Sequence, residues 1–328
     1  MIINPARFHP VSFVTGQVMT NKNNYKQMKR RNLLKTIAIG AAALPLAPAL
    51  ASTTQKKKAT IQFSLNTSTL RGQKLDLPQI IEIAAKAGYD GIELWISEMD
   101  AYLKTGKSLA SLKKLFTDAQ LIPVNAIGFA PWMAQDVPKS KAGFEQMEKE
   151  MGMLAEIGCK RVAAPAIGAT DPIDLLAAGE QYARLIALGR KTGVMPQLEF
   201  WGSFAQFHHI GQALASAAAA NDPDARILPD VFHLFRGGSG FDGLKLIDGN
   251  AIEVFHMNDF TSKPRLEQKD SDRVYPGDGI APMKEIAATL KAMGGTKIMS
   301  LELFNESYWA QDAQEVANTG LKKMKQFF

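Results

Sequence analysis

Four ionisable residues sit inside apolar runs: Glu199 in "PQLEFW", Asp230 in "LPDVFH", His256 in "EVFHMND" and Glu302 in "SLELFN". A carboxylate among Leu, Phe and Val is too costly to leave unpaired. It must be protonated, matched by a base, or shared with a cation. Three carboxylates and one imidazole brought to one place would hold one divalent ion. Oxygen-rich ligands with one nitrogen suit Mn²⁺, Mg²⁺, Co²⁺ or Zn²⁺ better than a thiolate-seeking metal. Such an ion polarises a carbonyl and acidifies the adjacent C–H. Glu199 and Glu302 are then the candidate catalytic groups, each with an oxygen to carry the proton.

Each residue has a plainer reading when taken alone. Glu199, Asp230 or Glu302 could cap a helix or pair with Lys or Arg. His256 could be a hydrogen-bonded core histidine. Their joint occurrence at the ends of successive strand-like segments favours a shared metal. His233 lies three positions after Asp230. On a continuous strand the two would face opposite sides. A turn after Val231 would bring both to one cavity, with His233 meeting a substrate hydroxyl as a catalytic and binding residue.

Further polar candidates end the earlier strand-like segments: Asn66, Glu93 and Asn125. Asn66, Glu93, Trp201 and Arg273 are expected to contact substrate. Trp201 and Trp132 are candidates for the pocket floor. Arg265 and Arg273 flank a long loop, 258–281, suited to covering the site. His208 and His209 fall in a helix-like stretch, and at least one of them reads as a surface residue.

These residues need a scaffold that points strand ends into one cavity. Strand-like segments recur at 61–66, 91–96, 121–127, 160–166, 194–200, 226–231, 251–257 and 297–303. Amphipathic stretches lie between or after them at 79–87, 109–119, 141–157, 174–191, 205–220, 283–293 and 309–327. Alternating units of this kind predict an α/β chain folded as a single (β/α)8 TIM barrel, which gathers strand C-termini at one mouth. A doubly wound dinucleotide fold is disfavoured. The first strand is followed by "SLNTSTLRG", whose only glycine, Gly72, comes too late for a phosphate loop.

The net charge of +6 is misleading. Of 38 basic residues, seven lie in 1–51, which has no acid; the remaining 31 face 32 acids. The body of the chain is near neutral, so charge gives no reason to expect nucleic acid. Segment 1–51 reads as a leader. Lys29-Arg30-Arg31 precedes an apolar run at 36–51 that ends in Ala49-Leu50-Ala51, a small-x-small cleavage site. Pro45 and Pro48 interrupt the run, which falls short of the ~20 apolar residues of a membrane span. "RRNLLK" resembles a twin-arginine export signal. The expected order is leader 1–51, linker 52–59 and barrel 60–328, exported to the periplasm, with no stable membrane insertion after processing. Cys159 is the only cysteine, so no intramolecular disulfide forms, and it reads as a small buried residue.

The series Glu199…Asp230-x-x-His233…His256…Glu302, with "DGIEL" early and "YPGDG" late, resembles the xylose-isomerase-like barrel superfamily. That group includes sugar isomerases and epimerases, hydroxypyruvate isomerases, inosose dehydratases and endonuclease IV nucleases. The resemblance implies Glu199, Asp230, His256 and Glu302 as metal ligands and His233 as a substrate contact. Where ketose 3-epimerases carry a second glutamate, six residues after the first ligand, this chain has Ala205. Where they carry a substrate arginine, six residues after the ligand histidine, it has Ser262. The extra histidines of the nuclease branch are absent from "GIELW" and "PVNAIGF". The expected function is an exported, metal-dependent isomerase or epimerase of small carbohydrates, working by proton abstraction next to a carbonyl. A lyase of inososes or 3-keto-sugars is the alternative, and a non-catalytic sugar-binding barrel the second.

Overall fold

The computed structural model describes residues 58–328. The expected leader 1–51, with its export and cleavage signals, and most of the expected linker 52–59 lie outside those residues. Among the described residues no helix is long and apolar enough to cross a membrane.

The strands are β1 (Thr60–Asn66), β2 (Gly91–Trp95), β3 (Ile122–Ile127), β4 (Arg161–Pro165), β5 (Met195–Glu199), β6 (Ile227–Leu228), β7 (Val254–Met257), β8 (Asp259–Phe260), β9 (Arg273–Val274) and β10 (Thr296–Leu301). The helices are α1 (Leu77–Ala87), α2 (Ile96–Lys104), α3 (Leu109–Asp118), α4 (Val137–Ile157), α5 (Leu175–Thr192), α6 (Ile210–Ala219), α7 (Val231–Arg236), α8 (Met283–Met293), α9 (Glu306–Trp309) and α10 (Ala313–Lys325). Eight parallel strands run in the order β6-β5-β4-β3-β2-β1-β10-β7. The molecule is a single (β/α)8 TIM barrel with helices around it.

Local chemistry sets the helix limits. Asp76, Asp136 and Asp174 each accept a backbone N–H of the first turn of α1, α4 and α5, which satisfies donors the helix cannot use itself. α4 stops at Gly158, whose φ of +88° is a left-handed conformation that side chains resist.

Two layers of apolar packing hold the strands. The larger lies between the helices and the outer face of the sheet, with Leu65, Ile92, Leu198 and Phe255 among its fully buried members. A smaller cluster, Val124, Ile127, Ala163, Leu228, Val254 and Ile298, forms a second group within the barrel strands. The polar residues at the strand ends are as buried as the apolar ones: Asn66, Glu93, Asn125, Asp230 and His256 are all 0% exposed. Interstrand register puts them side by side, Asn66 opposite Glu93, Glu93 opposite Asn125, and Ser300 opposite His256.

Several expected segments end elsewhere. The sixth strand is not 226–231 but two residues; beyond it only an isolated bridge joins Asp230 to His256, and Asp230 caps α7. The expected helix 205–220 begins only at Ile210; His209 accepts the Gly211 N–H through its ring at 2.9 Å, and His208 precedes it, both half-buried. The stretch 309–327 is split between α9 and α10. The loop 258–281 contains an antiparallel pair, β8 with β9. Its return is pinned by Asp259, whose carboxylate accepts the N–H groups of Gly277, Gly279 and Ala281 at 2.9–3.1 Å. Gly279 must be glycine here: a Cβ would lie 2.2 Å from the Phe260 carbonyl oxygen.

Candidate functional site

β5, β6, β7 and β10 bring Glu199, Asp230, His256 and Glu302 to one end of the barrel. The His256 ring is the centre of the group. Its Nδ1 lies 3.2 Å from Glu302 Oε2 and 3.5 Å from both Glu199 Oε1 and Asp230 Oδ2. One ligand atom each from Asp230, His256 and Glu302 falls within 4.8 Å of the others. Glu199 is outside this triad, although its Oε1 approaches the same ring nitrogen.

Below the ring, Glu93 takes Nε2 at 3.0 Å. The same carboxylate accepts Asn125 Nδ2 at 2.6 Å, Asn66 Nδ2 at 3.0 Å and Ser300 Oγ at 2.5 Å. Four strands thus spend donors on one buried acid. Burial alone would raise its pKa, but His256 and these hydrogen bonds hold it below the usual carboxylate value. Fixing Nε2 leaves Nδ1 turned toward the three acids, as carboxylates that hydrogen-bond the far nitrogen of metal-binding histidines do.

Asp230, His256 and Glu302 fit a divalent ion, and Glu199 is near enough to His256 Nδ1 to join them. His256 Nδ1 and Glu199 Oε2 are buried and have no hydrogen-bond partner. Two orphaned atoms in one polar cluster mark a place where a further species is needed. Burial opposes charging His256, yet Glu302 and Glu93 outweigh it and hold its pKa well above the ordinary value. A cation among the same acids would replace that proton. Glu199 behaves oppositely: burial, with the Glu302 and Asp230 charges adding to it, pushes it up to about 8 against the pull of His256.

Arg273, carried by β9, is buried against this centre. Its Nη1 donates to Asp230 Oδ2 at 2.6 Å and Glu302 Oε2 at 2.9 Å, and its Nη2 to Asp270 Oδ1 at 3.0 Å. Burial disfavours the Asp230 charge, but Arg273 overrides it and holds Asp230 well below the usual range. The guanidinium therefore reaches the site from farther along the chain than Ser262, the position expected from ketose 3-epimerases. Arg265, at the other end of the loop, donates instead to the Arg236 carbonyl.

His233 comes from α7. Its N–H caps against Asp230 Oδ1 at 2.8 Å, which ties the two residues at one turn. Its Nδ1 accepts the Gly202 N–H at 3.2 Å. Burial lowers the imidazole to about 4, so at neutral pH it is uncharged. Its Nε2 lies 3.2 Å from Arg273 Nη2, and His233 lines the cavity.

The cavity, about 190 Å³, is lined by Glu199, Glu302, His233, Arg273 and Asp270 together with Trp95, Ile127, Phe129, Trp201, Ser203 and Phe304. Trp201 takes its expected place. Trp132 does not: it is a core residue whose Nε1 donates to the Pro165 carbonyl. Glu93 and Asn66 are not lining residues either. Asn66 binds Glu93, Glu302 Oε1 at 3.2 Å and the Trp95 indole N–H at 3.0 Å, which makes it a brace for the site. The sequence reading missed Phe129, Phe304, Asp270 and Asn258. Asn258 donates to Asp230 Oδ2 at 3.0 Å. Phe304 and Asn258 each lie two residues past a ligand, on the same face of an extended chain, and that spacing was the available signal. Cys159 is buried as expected, and burial raises its thiol to about 11.

Residues 81–327 match the family described as xylose isomerase-like TIM barrel. The chain belongs to that family. Among curated members, an inosose isomerase of Bacillus velezensis is 27% identical over 250 residues, 74% of this chain and 89% of the relative. A 3-dehydroshikimate dehydratase of Pseudomonas putida is 23% identical over 282 residues, 80% of this chain but 41% of that longer protein. Among solved members of the fold, the IOLI protein with a binding zinc atom superposes with a TM-score of 0.76 at 24% identity, covering 81% of this chain and 99% of that one. The family's curated relatives are thus isomerases and dehydratases of small sugar-like substrates.

Proposed function

We propose that this chain is an exported, divalent-metal-dependent isomerase or epimerase of uncharged keto-polyols. The observation that carries the reading is the convergence of Glu199, Asp230 and Glu302 on the unpartnered Nδ1 of His256. These four side chains would hold the metal. When bound, the ion supplies Lewis-acid polarisation of a carbonyl. Mn²⁺, Mg²⁺, Co²⁺ and Zn²⁺ all suit the donors.

The chain's own groups supply the rest. Glu199 Oε2 has no hydrogen-bond partner, so one carboxylate oxygen is free to take and return a proton while the other holds the ion. Glu302 faces the same cavity, so two carboxylates can address one carbon. His233 offers a ring nitrogen to a substrate hydroxyl, beside the Arg273 guanidinium.

The charges around the cavity argue for a neutral substrate. The one guanidinium at the floor is already matched by Asp230, Glu302 and Asp270. Arg273 is the only Lys or Arg that lines the cavity, so no free basic side chain there is offered to a phosphate or carboxylate. The walls are aromatic: Trp95 and Phe129 ring centroids lie 5.4 Å apart, and Phe129 and Trp201 5.8 Å. Such faces suit the C–H sides of a single ring. The volume is below the roughly 300–1,000 Å³ of drug-sized sites.

A second reading is a carbon–oxygen lyase. The 3-dehydroshikimate dehydratases among the chain's relatives favour it. Export rests on "RRNLLK" and the small-x-small site, and periplasmic action on neutral carbohydrate agrees with both.

Incubating the metal-loaded protein with inososes, ketoses and 3-keto-glycosides in D₂O, followed by NMR, separates the readings. Isomerisation or epimerisation yields a product of substrate mass plus deuterium at the carbon next to the carbonyl. Elimination yields a dehydrated product or a released aglycone. Absence of exchange with every substrate would leave the sugar-binding barrel in place of an enzyme.

A further inference from the structure

At the opposite end of the barrel, where the strands begin, a second cavity of about 170 Å³ is lined by Arg161, Arg226, Glu253, Lys297 and the backbone of Gly249 and Gly295. Arg161 opens β4, Arg226 precedes β6, Glu253 precedes β7, and Lys297 is the second residue of β10. Three cations from three strands therefore face one carboxylate. Asp248 is the next nearest acid to Lys297, and its Oδ1 is engaged by the Asn250 N–H. Three positive charges against two negative leave a surplus of one.

The donors are not spent. Glu253 Oε2 takes Arg161 through Nε at 2.5 Å, and its Oε1 lies 3.6 Å from Arg226 Nε. Arg226 Nη1 serves the carbonyls of Pro223 and Ala225. Among the described residues, neither Nη of Arg161 nor Nη2 of Arg226 has a partner. Lys297 is 1% exposed, and its main contact is one carbonyl, Gly249 O, at 2.7 Å. A desolvated ammonium beside two guanidinium groups with free, solvent-reaching Nη donors suits an anion.

We propose that this basal cavity binds a small oxyanion of the phosphate or sulfate class. Its place in the fold gives the anion a role. The seam between β6 and β7 has almost no backbone ladder: one bridge, Asp230 with His256, and one hydrogen bond, His256 N–H to Pro229 O at 3.0 Å, both at the far end. At the base, Arg226 and Glu253 flank the same seam. An oxyanion held by Arg161, Arg226 and Lys297 ties the bases of β4, β6 and β10 together across it.

The test is calorimetric titration of the whole protein with inorganic phosphate, and separately sulfate, in chloride of matched ionic strength, with melting curves alongside. One oxyanion per chain and a higher Tm than in chloride are expected. Arg161→Gln and Lys297→Met should each weaken binding about tenfold or more. Arg161 is partly exposed, so its variant carries the test should Lys297→Met fail to fold. Arg273→Gln, at the other end of the barrel, should leave oxyanion binding intact. The proposal is overturned if neither oxyanion shows heat or melting shift beyond chloride. It is equally overturned if binding survives Arg161→Gln, or is lost in Arg273→Gln.

Discussion

The Asp230 and His256 backbones form the bridge that closes the barrel, and their side chains meet at its mouth, Oδ2 to Nδ1, at 3.5 Å. Closure of the sheet and assembly of the candidate metal centre are therefore one event. Asp230 also caps α7 through its other oxygen. Asp230→Asn separates these duties, since Asn caps as well as Asp. The variant should fold with α7 intact and lose divalent-metal affinity by more than the ~10–100-fold typical of a supporting residue. Titration calorimetry with Mn²⁺ or Zn²⁺, with circular dichroism as the folding control, checks both parts.

Glu93 has no place at the cavity, yet it decides which imidazole nitrogen faces the acids. Glu93→Gln keeps the shape but puts an ambiguous amide against Nε2. Metal affinity should fall by about 10–100-fold, while Asn66, Asn125 and Ser300 keep their register. Unchanged affinity in the same titration would show that His256 needs no such partner.

His233→Ala should retain the metal and lose turnover by ~10²–10⁴-fold, the usual worth of a positioned acid–base or hydrogen-bonding group. Metal analysis of the purified variant, beside its rate in the deuterium assay, gives the answer. A variant stripped of metal would make His233 a ligand.

Glu150 lies buried on α4 with Oε2 unpartnered and Oε1 bound to Gln146 Nε2 at 2.7 Å. Burial, with Asp100 adding to it, raises its pKa. An acid whose folded pKa exceeds its unfolded value of about 4.3 favours folding while protonated. That contribution is complete below the unfolded pKa and is lost as pH rises through the folded one. Glu150→Gln should therefore melt like the parent near about pH 4 and above it near about pH 8. Melting curves across that range should show a smaller pH slope in the variant.

The leader makes a separate prediction. If "RRNLLK" is a twin-arginine signal, Arg30→Lys with Arg31→Lys leaves the precursor in the cytoplasm. Cell fractionation and immunoblotting read this directly, and unchanged export would indicate the general secretory route.

The barrel was legible because parallel strands buried on both faces leave unbroken apolar runs, and each run ends in the residue it presents to the mouth. Glu199, Asp230, His256 and Glu302 were conspicuous as charges within such runs. His233 was placed correctly relative to Asp230 by the turn, although the turn is a helix cap rather than a bend in a strand. Other assignments needed contacts between distant segments. Glu93 and Asn66 sit at strand ends like the ligands, and only interstrand register turns Glu93 to the His256 ring and Asn66 to Glu93 and Glu302 instead of the cavity. Trp132 and Trp201 are alike in sequence, but one packs under β4 and the other lines the site. Arg273 reaches two ligands because β8 and β9 fold the 258–281 loop back over the mouth, held by Asp259. A sequence shows which groups are too costly to bury alone; the tertiary fold decides which neighbour relieves each of them, because those partners lie tens to hundreds of residues apart.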